Sequence, residues 1–297
     1  MRPQFFACAV LVALSAVLAG CGGGGSASDD AASAIDAGWK YFSDGEYSLA
    51  MKEFESAGAL APRDALRTQE ALFGQAITWH VRTRPENSPD KARAAYTAAI
   101  DLCPTNDIAA WADLWRARLD SEVVQGEYPP AEKRFGAYDE VAKRHPSHPA
   151  GEEAFLCTQA ILLEQDSEEV AASVRDAIVA WLAAHPESGW RQTAYGLLST
   201  CARRLDDMQG IYDNVVKSWE ARYVNPDHPN DDPQLIDWTL ASIAEFDVGD
   251  LEAAARHYRA FIERYPTHQR VFIAIQELAR IEEMLGKPAG AEEADHE

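Results

Sequence analysis

"AGWKYFSDGEYSLAMKEFESAGALAP", residues 37–62, sets small, aromatic and proline residues at fixed intervals. From Tyr41 the steps are nine residues to Ala50, four to Phe54, three to Ala57 and five to Pro62. Steps of three and four keep side chains on one face of a helix. Gly38 and Ala50 are small enough for two antiparallel helices to approach closely. Tyr41, Phe54 and Ala57 then fill the seam between that pair and the next repeat. Pro62 ends the second helix, because its ring cannot continue one. "SDGE", Ser43–Glu46, is the polar, Gly-containing turn between the pair.

The last three steps return along the chain. Ala92, Tyr96, Ala99 and Pro104 repeat four, three and five; so do Ala254, Tyr258, Phe261 and Pro266. Tyr138, Val141 and Pro146 keep the spacing with Arg134 where the small residue belongs, and Ile178, Trp181 and Pro186 form a further copy. Gly74 precedes the second copy as Gly38 does the first, Trp238 opens the last, and "DVGD", Asp247–Asp250, is its turn. The second copy carries extra residues in its turn, "RTRPENSPD", and the segment 190–230 has no clean match and is expected to hold a long loop. An internal period near 34–40 residues is the signature of a helical solenoid. A plain helical bundle would also space aromatic and small residues by three and four, but the recurring proline argues against it.

This pattern resembles the tetratricopeptide repeat, over roughly residues 31–288. The resemblance implies an all-α, right-handed superhelical solenoid of antiparallel helix pairs, about six of them, closed by a C-terminal cap helix. "RVFIAIQELARIEEMLG" supplies that cap in the expected reading, with Phe272, Ile275, Leu278, Ile281 and Leu285 as the apolar stripe and Glu and Arg opposite. The repeat domain is expected over 34–288 and an acidic tail over 289–297.

The N-terminus carries a separate message. "MRPQFFACAVLVALSAVLAGC" has one cation, Arg2, then an apolar run from Phe5 to Leu18 that suits an export signal better than a membrane span. It ends in "LAGC", which looks like a bacterial lipobox. Residues 1–20 are thus expected to be a signal peptide, and Cys21 the lipidated residue that holds the protein to a membrane. The following Gly/Ser stretch reads as a flexible tether, residues 21–33. Gly22 stands where Asp would retain a lipoprotein at the inner membrane where that rule holds, which favours the outer membrane.

Hydrophobic residues make up 47% of the 297-residue chain and charged residues 25%, ordinary globular values. The formal charge of −21 argues against a nucleic-acid partner. No nucleotide-binding loop, nucleophile elbow or zinc-peptidase helix is present. Adjacent carboxylates such as Glu152/Glu153, Glu168/Glu169 and Glu282/Glu283 point to different helix faces and read as solvated surface. His145 and His148 would need a third ligand to hold a metal; histidines at the helix-ending turns read as partners of C-terminal carbonyls. Cys103, Cys157 and Cys201 read as buried small hydrophobes, with a Cys157–Cys201 bridge as the alternative. No catalytic residue, metal or cofactor is expected.

In tetratricopeptide proteins the first helices line a groove for a peptide or a partner's helix. Carried over by register, the resemblance assigns that role to Ile35, Trp39 and Phe42, and to Gln75, Thr78 and Trp79. Trp39 and Phe42 could equally pack beneath the neighbouring helix. The expected function is therefore a lipid-anchored envelope adaptor binding a protein or peptide, without enzymatic activity. The combination of lipobox, tether and repeats is similar to the tetratricopeptide lipoprotein of outer-membrane β-barrel assembly and to repeat-bearing coordinators of cell division. The alternative is a glycan binder or cell-wall enzyme built on a helical solenoid.

Overall fold

The computed structural model describes residues 27–81, 87–122, 128–222, 224 and 235–286. The signal peptide, Cys21, residues 223 and 225–230 of the segment expected to hold a long loop, and the acidic tail lie outside the described residues, as does part of the second turn.

The described secondary structure is helical. Two compact units divide between Cys103 and Pro104. The first holds α1 (Ala27–Ser43), α2 (Tyr47–Leu60), α3 (Ala65–Val81) and α4 (Pro89–Leu102). The second begins with α5 (Asp107–Asp120), α6 (Ala131–Arg144), α7 (Pro149–Leu162) and α8 (Glu168–Ala184). It continues with α9 (Arg191–Arg204), α10 (Met208–Glu220), α11 (Ile236–Ser242), α12 (Leu251–Arg264) and α13 (Val271–Met284). Helices adjacent in sequence pack as pairs, and first helices also touch the next first helix, as α1 does α3 and α5 does α7. This is a tetratricopeptide-like array of antiparallel pairs.

The prolines act as read. Helices α2, α4, α6, α8 and α12 each stop two residues before Pro62, Pro104, Pro146, Pro186 and Pro266. The intervening residue must leave the α region, since the proline ring clashes with its backbone. Ala61, His145, His185 and Tyr265 share one geometry, φ −126, −126, −127 and −127. Gly45 and Gly249, in the two turns singled out above, both take φ +79, which a side chain would disfavour.

Phe54 shows why the small residues recur. Its ring is fully buried between Gly38 of α1 and Gly74 of α3. Where the small residue is missing, other chemistry takes over. Arg134 of α6 sends its guanidinium to Glu164 and to the Pro129 carbonyl. In α9–α10 the four-three spacing survives as Ile211, Val215 and Ser218, and Ser218 Oγ donates to the Gln192 carbonyl at 3.1 Å. That pair is helical despite its departure from the pattern.

Three expectations are corrected. Glu153 and Glu282, read as solvated surface, are buried and meet Arg118 and Arg259. Helix α1 begins at Ala27, inside the stretch read as tether: Ala31 is fully buried, and Ser28 Oγ donates to Asp64 at 2.8 Å. That bond and the Arg67 amide hold the Asp64 carboxyl below its usual range. The stripe assigned to the last helix does not share one face. Ala274, Ile281 and Glu282 of α13 are buried, whereas Phe272 is 68% and Ile275 50% exposed. Phe272 and Ile281 are nine residues apart, about two and a half turns, so they point to opposite sides.

Candidate functional site

The residues assigned to a groove all lie in the first unit, and the structure sorts them by depth. Ile35 is 4% exposed in a cluster with Ala34, Ala57 and Ala71. Thr78 is fully buried, with its hydroxyl donating to the Gly74 carbonyl at 2.7 Å. Neither offers a surface to a ligand. Trp39, Phe42, Gln75 and Trp79 are half-buried.

Trp39 is chiefly a packing residue. Its ring meets Phe54 edge-on at 5.0 Å and Phe42 at 5.9 Å, and lies tilted against Phe73 at 6.1 Å. It therefore joins α1 to α2 and α3. Phe42 continues outward to Tyr47 at 5.4 Å. On α3, Gln75 Nε2 donates to the Phe54 carbonyl at 3.4 Å, and the Lys91 ammonium sits 4.3 Å from the centre of the Trp79 ring. The accessible parts of this face are thus aromatic edges, one amide and one cation.

A second candidate, in the other unit, escaped the reading of the sequence. Gln192, Gly196 and Ser199 of α9, Val215, Ser218 and Trp219 of α10, and Ile236 and Thr239 of α11 enclose a cleft of about 240 Å³. The Arg222 guanidinium lies 3.5 Å from the centre of the Trp219 ring. No lining side chain titrates, so the cleft is suited to contact rather than acid–base work. Its one sequence signal, Gln192, Gly196 and Ser199 at helical steps on α9, is too common to single out.

Polar clusters elsewhere have structural partners. The buried Asp113 carboxylate is shared by Arg116 at 2.8 Å, His145 at 3.0 Å and Arg144, tying α5 to α6 and its closing turn. His148 accepts from the Ala150 amide at 3.0 Å and meets Asp107 at 2.7 Å. His185 takes the expected role at a helix end, its Nδ1 lying 2.9 Å from the Trp181 carbonyl. Among the described residues no group of three or more His, Cys, Asp or Glu side chains converges on a metal site.

Tyr212, His257 and Asp237 form a line: 2.8 Å from the hydroxyl to Nε2, then 3.5 Å from Nδ1 to the carboxylate. The geometry invites comparison with a relay that activates a nucleophile. The Tyr212 hydroxyl, however, is pushed up by burial, which holds its proton in place. Arg264 occupies the other Asp237 oxygen at 2.6 Å. Burial likewise pushes the Cys157 thiol up to about 12, leaving it neutral and inert. Cys103, Cys157 and Cys201 are all free thiols; Cys157 packs beside Tyr138 and Val141, and Cys201 in the cluster of Val174 and Ile178.

No protein-family model matches the chain. No curated protein matches it in sequence. Among solved structures it is similar to PilW, described as a widely conserved type IV pilus biogenesis factor, at 15% identity and a TM-score of 0.50, covering 82% of this chain and 98% of that one. It is similar also to PilF of Pseudomonas aeruginosa, at 14% identity and a TM-score of 0.52, covering 88% of this chain and all of that one. A tetratricopeptide repeat protein from Parabacteroides merdae aligns at 14% identity, 85% of this chain, 98% of that one and a TM-score of 0.45. At such identities the likeness to PilW and PilF is one of fold.

Proposed function

We propose that the protein is a lipid-anchored adaptor of a bacterial envelope that holds a protein or peptide partner and catalyses no reaction. The lipobox reading puts the anchor at Cys21, and Gly22 favours the outer membrane. The observation that carries the binding role is the half-exposed face of Phe42, Gln75 and Trp79 on neighbouring first helices, built over a fully packed floor. Aromatic anchors beside a rigid scaffold are what a bound chain uses to gain affinity. Repeat arrays of this fold commonly serve as protein scaffolds. The charge of −21 suits a partner with basic segments.

Outer-membrane assembly and envelope organisation are the processes favoured by the anchor and repeats together. PilW is described as a pilus biogenesis factor, so pilus components join the envelope proteins to be screened. The test is a crosslinking pull-down from envelopes with the full chain and a Phe42→Ala/Trp79→Ala variant checked for folding by circular dichroism. One dominant partner that the variant loses supports this reading. No enriched protein, with retention of cell-wall fragments instead, overturns it in favour of a glycan binder.

A further inference from the structure

We propose that the cleft between α9, α10 and α11 binds a neutral sugar ring, with Trp219 as its apolar platform and Gly196 as the opening that admits it. The cleft lies in the second unit, whereas Phe42, Gln75 and Trp79 lie in the first, so the two sites stand or fall separately.

Gly196 is the residue that points to a ligand. It sits in the interior of α9, where glycine weakens a helix relative to alanine. Gly38 and Gly74 offset that loss by admitting the Phe54 ring, but a Cβ on Gly196 would meet no atom within 4 Å among the described residues. Packing therefore does not require glycine there, and its bare backbone lies open to the cleft. Gln192, one turn earlier, and Ser199, one turn later, put an amide and a hydroxyl on the same side of the helix. Among the described residues no hydrogen bond engages the side chains of Gln192, Ser199 or Trp219.

The opposite wall is held in place. Ser218 Oγ donates to the Gln192 carbonyl at 3.1 Å, which fixes α10 against α9, and its oxygen can still accept. Arg222 Nη1 donates to the Trp219 carbonyl at 2.9 Å while its guanidinium stacks 3.5 Å from the ring centre, so the indole is clamped. Val215 and Ile236 add apolar surface to the cleft.

Charge and size set the ligand class. The lining offers an amide, hydroxyls, an indole and aliphatic groups, and nothing that titrates. A cation would meet the Arg222 charge already on the Trp219 ring, and the net charge of −21 disfavours an anion. About 240 Å³ is below the roughly 300–1,000 Å³ of sites for drug-sized molecules, so the cleft takes one ring rather than a long chain. The α9 and α10 residues line it from within helices, where backbone groups pair internally, so a peptide strand finds no edge to join. A pyranose matches what remains. Its C–H groups pack on an indole, and its hydroxyls both donate and accept.

Ligand-observed saturation-transfer NMR on the full chain tests this, with N-acetylglucosamine and methyl glucoside as probes and acetylated, amidated trialanine as a neutral peptide control. At least one sugar should show transfer to its ring protons, with a dissociation constant in the millimolar range. Gly196→Leu and Trp219→Ala, checked for folding by circular dichroism, should each weaken binding about tenfold or more. Gly196→Ala should melt no lower than wild type, since its Cβ meets nothing, and still weaken binding. The Phe42→Ala/Trp79→Ala variant should bind sugar as the wild type does. The proposal would be overturned by no transfer to either sugar, by binding that Gly196→Leu leaves intact, by its loss in the first-unit variant, or by a peptide signal stronger than the sugar's.

Discussion

Gly74 and the ring of Phe54 are in such close contact that a Cβ at Gly74 would lie 2.5 Å from Cδ1 and Cε1 of the ring. The ring has no room to retreat, because a Cβ on Gly38 would meet its other side at 2.6 Å. Gly74→Ala should therefore destabilise the protein by about 1–3 kcal/mol, the usual cost of overpacking. Thermal denaturation followed by circular dichroism reads this as a lowered Tm. An unchanged Tm would mean that the first helices do not need this close approach.

Glu153 carries a pH signature. Burial raises its carboxyl above the usual range, and the Arg118 guanidinium opposes the shift without cancelling it. The folded state thus binds this proton more tightly than the unfolded state does. The stability it contributes is present below the unfolded value and is lost as pH rises through the folded one. Glu153→Gln, which mimics the protonated form, should gain stability relative to wild type as pH rises above the ordinary carboxylate range. A variant that loses ground over that rise would contradict the sign.

The Tyr212–His257–Asp237 line should behave as a brace rather than a relay. Tyr212→Phe removes one hydrogen bond and should cost about 0.5–1.5 kcal/mol. Asp237→Ala removes the buried carboxylate that meets both His257 and Arg264, and should cost more, about 1–3 kcal/mol. Urea unfolding curves measure both. The reverse order would point to a role for the hydroxyl beyond packing.

Much of this fold was legible because its strongest marks are local. A proline constrains itself and the residue before it, so Pro62, Pro104, Pro146, Pro186 and Pro266 located helix ends without any knowledge of partners. Aliphatic residues at the same spacing, Ile211 and Val215, say only that a helix has a buried side, so α9–α10 was obscure. The start of α1 was hidden for a different reason. "SASDDAAS" reads as tether by composition, but Asp29 and Asp30 lie in a first helical turn and Ala31 is held by the packed floor. The face of α13 was misassigned because steps of three drift backward around a helix of 3.6 residues per turn.

Depth was the least legible property of the site. Register placed Ile35 and Trp39 on α1 and Thr78 and Trp79 on α3, but burial depends on which neighbouring helix covers each residue. Trp39→Ala should lower stability by several kcal/mol, about 3–5 for a well-packed aromatic. Trp79→Ala should cost less stability than Trp39→Ala and weaken partner capture. Parallel melting and pull-down measurements separate the two effects; equal losses of stability would remove Trp79 from the binding face.

The most direct test of the adaptor reading is site-specific photocrosslinking in intact envelopes. The probe would replace Gln75 on α3 in one protein and the exposed Lys52 on α2 in another. The account predicts one dominant protein adduct from position 75 and none of it from position 52. Identical adduct patterns at both positions, or none at position 75, would contradict it.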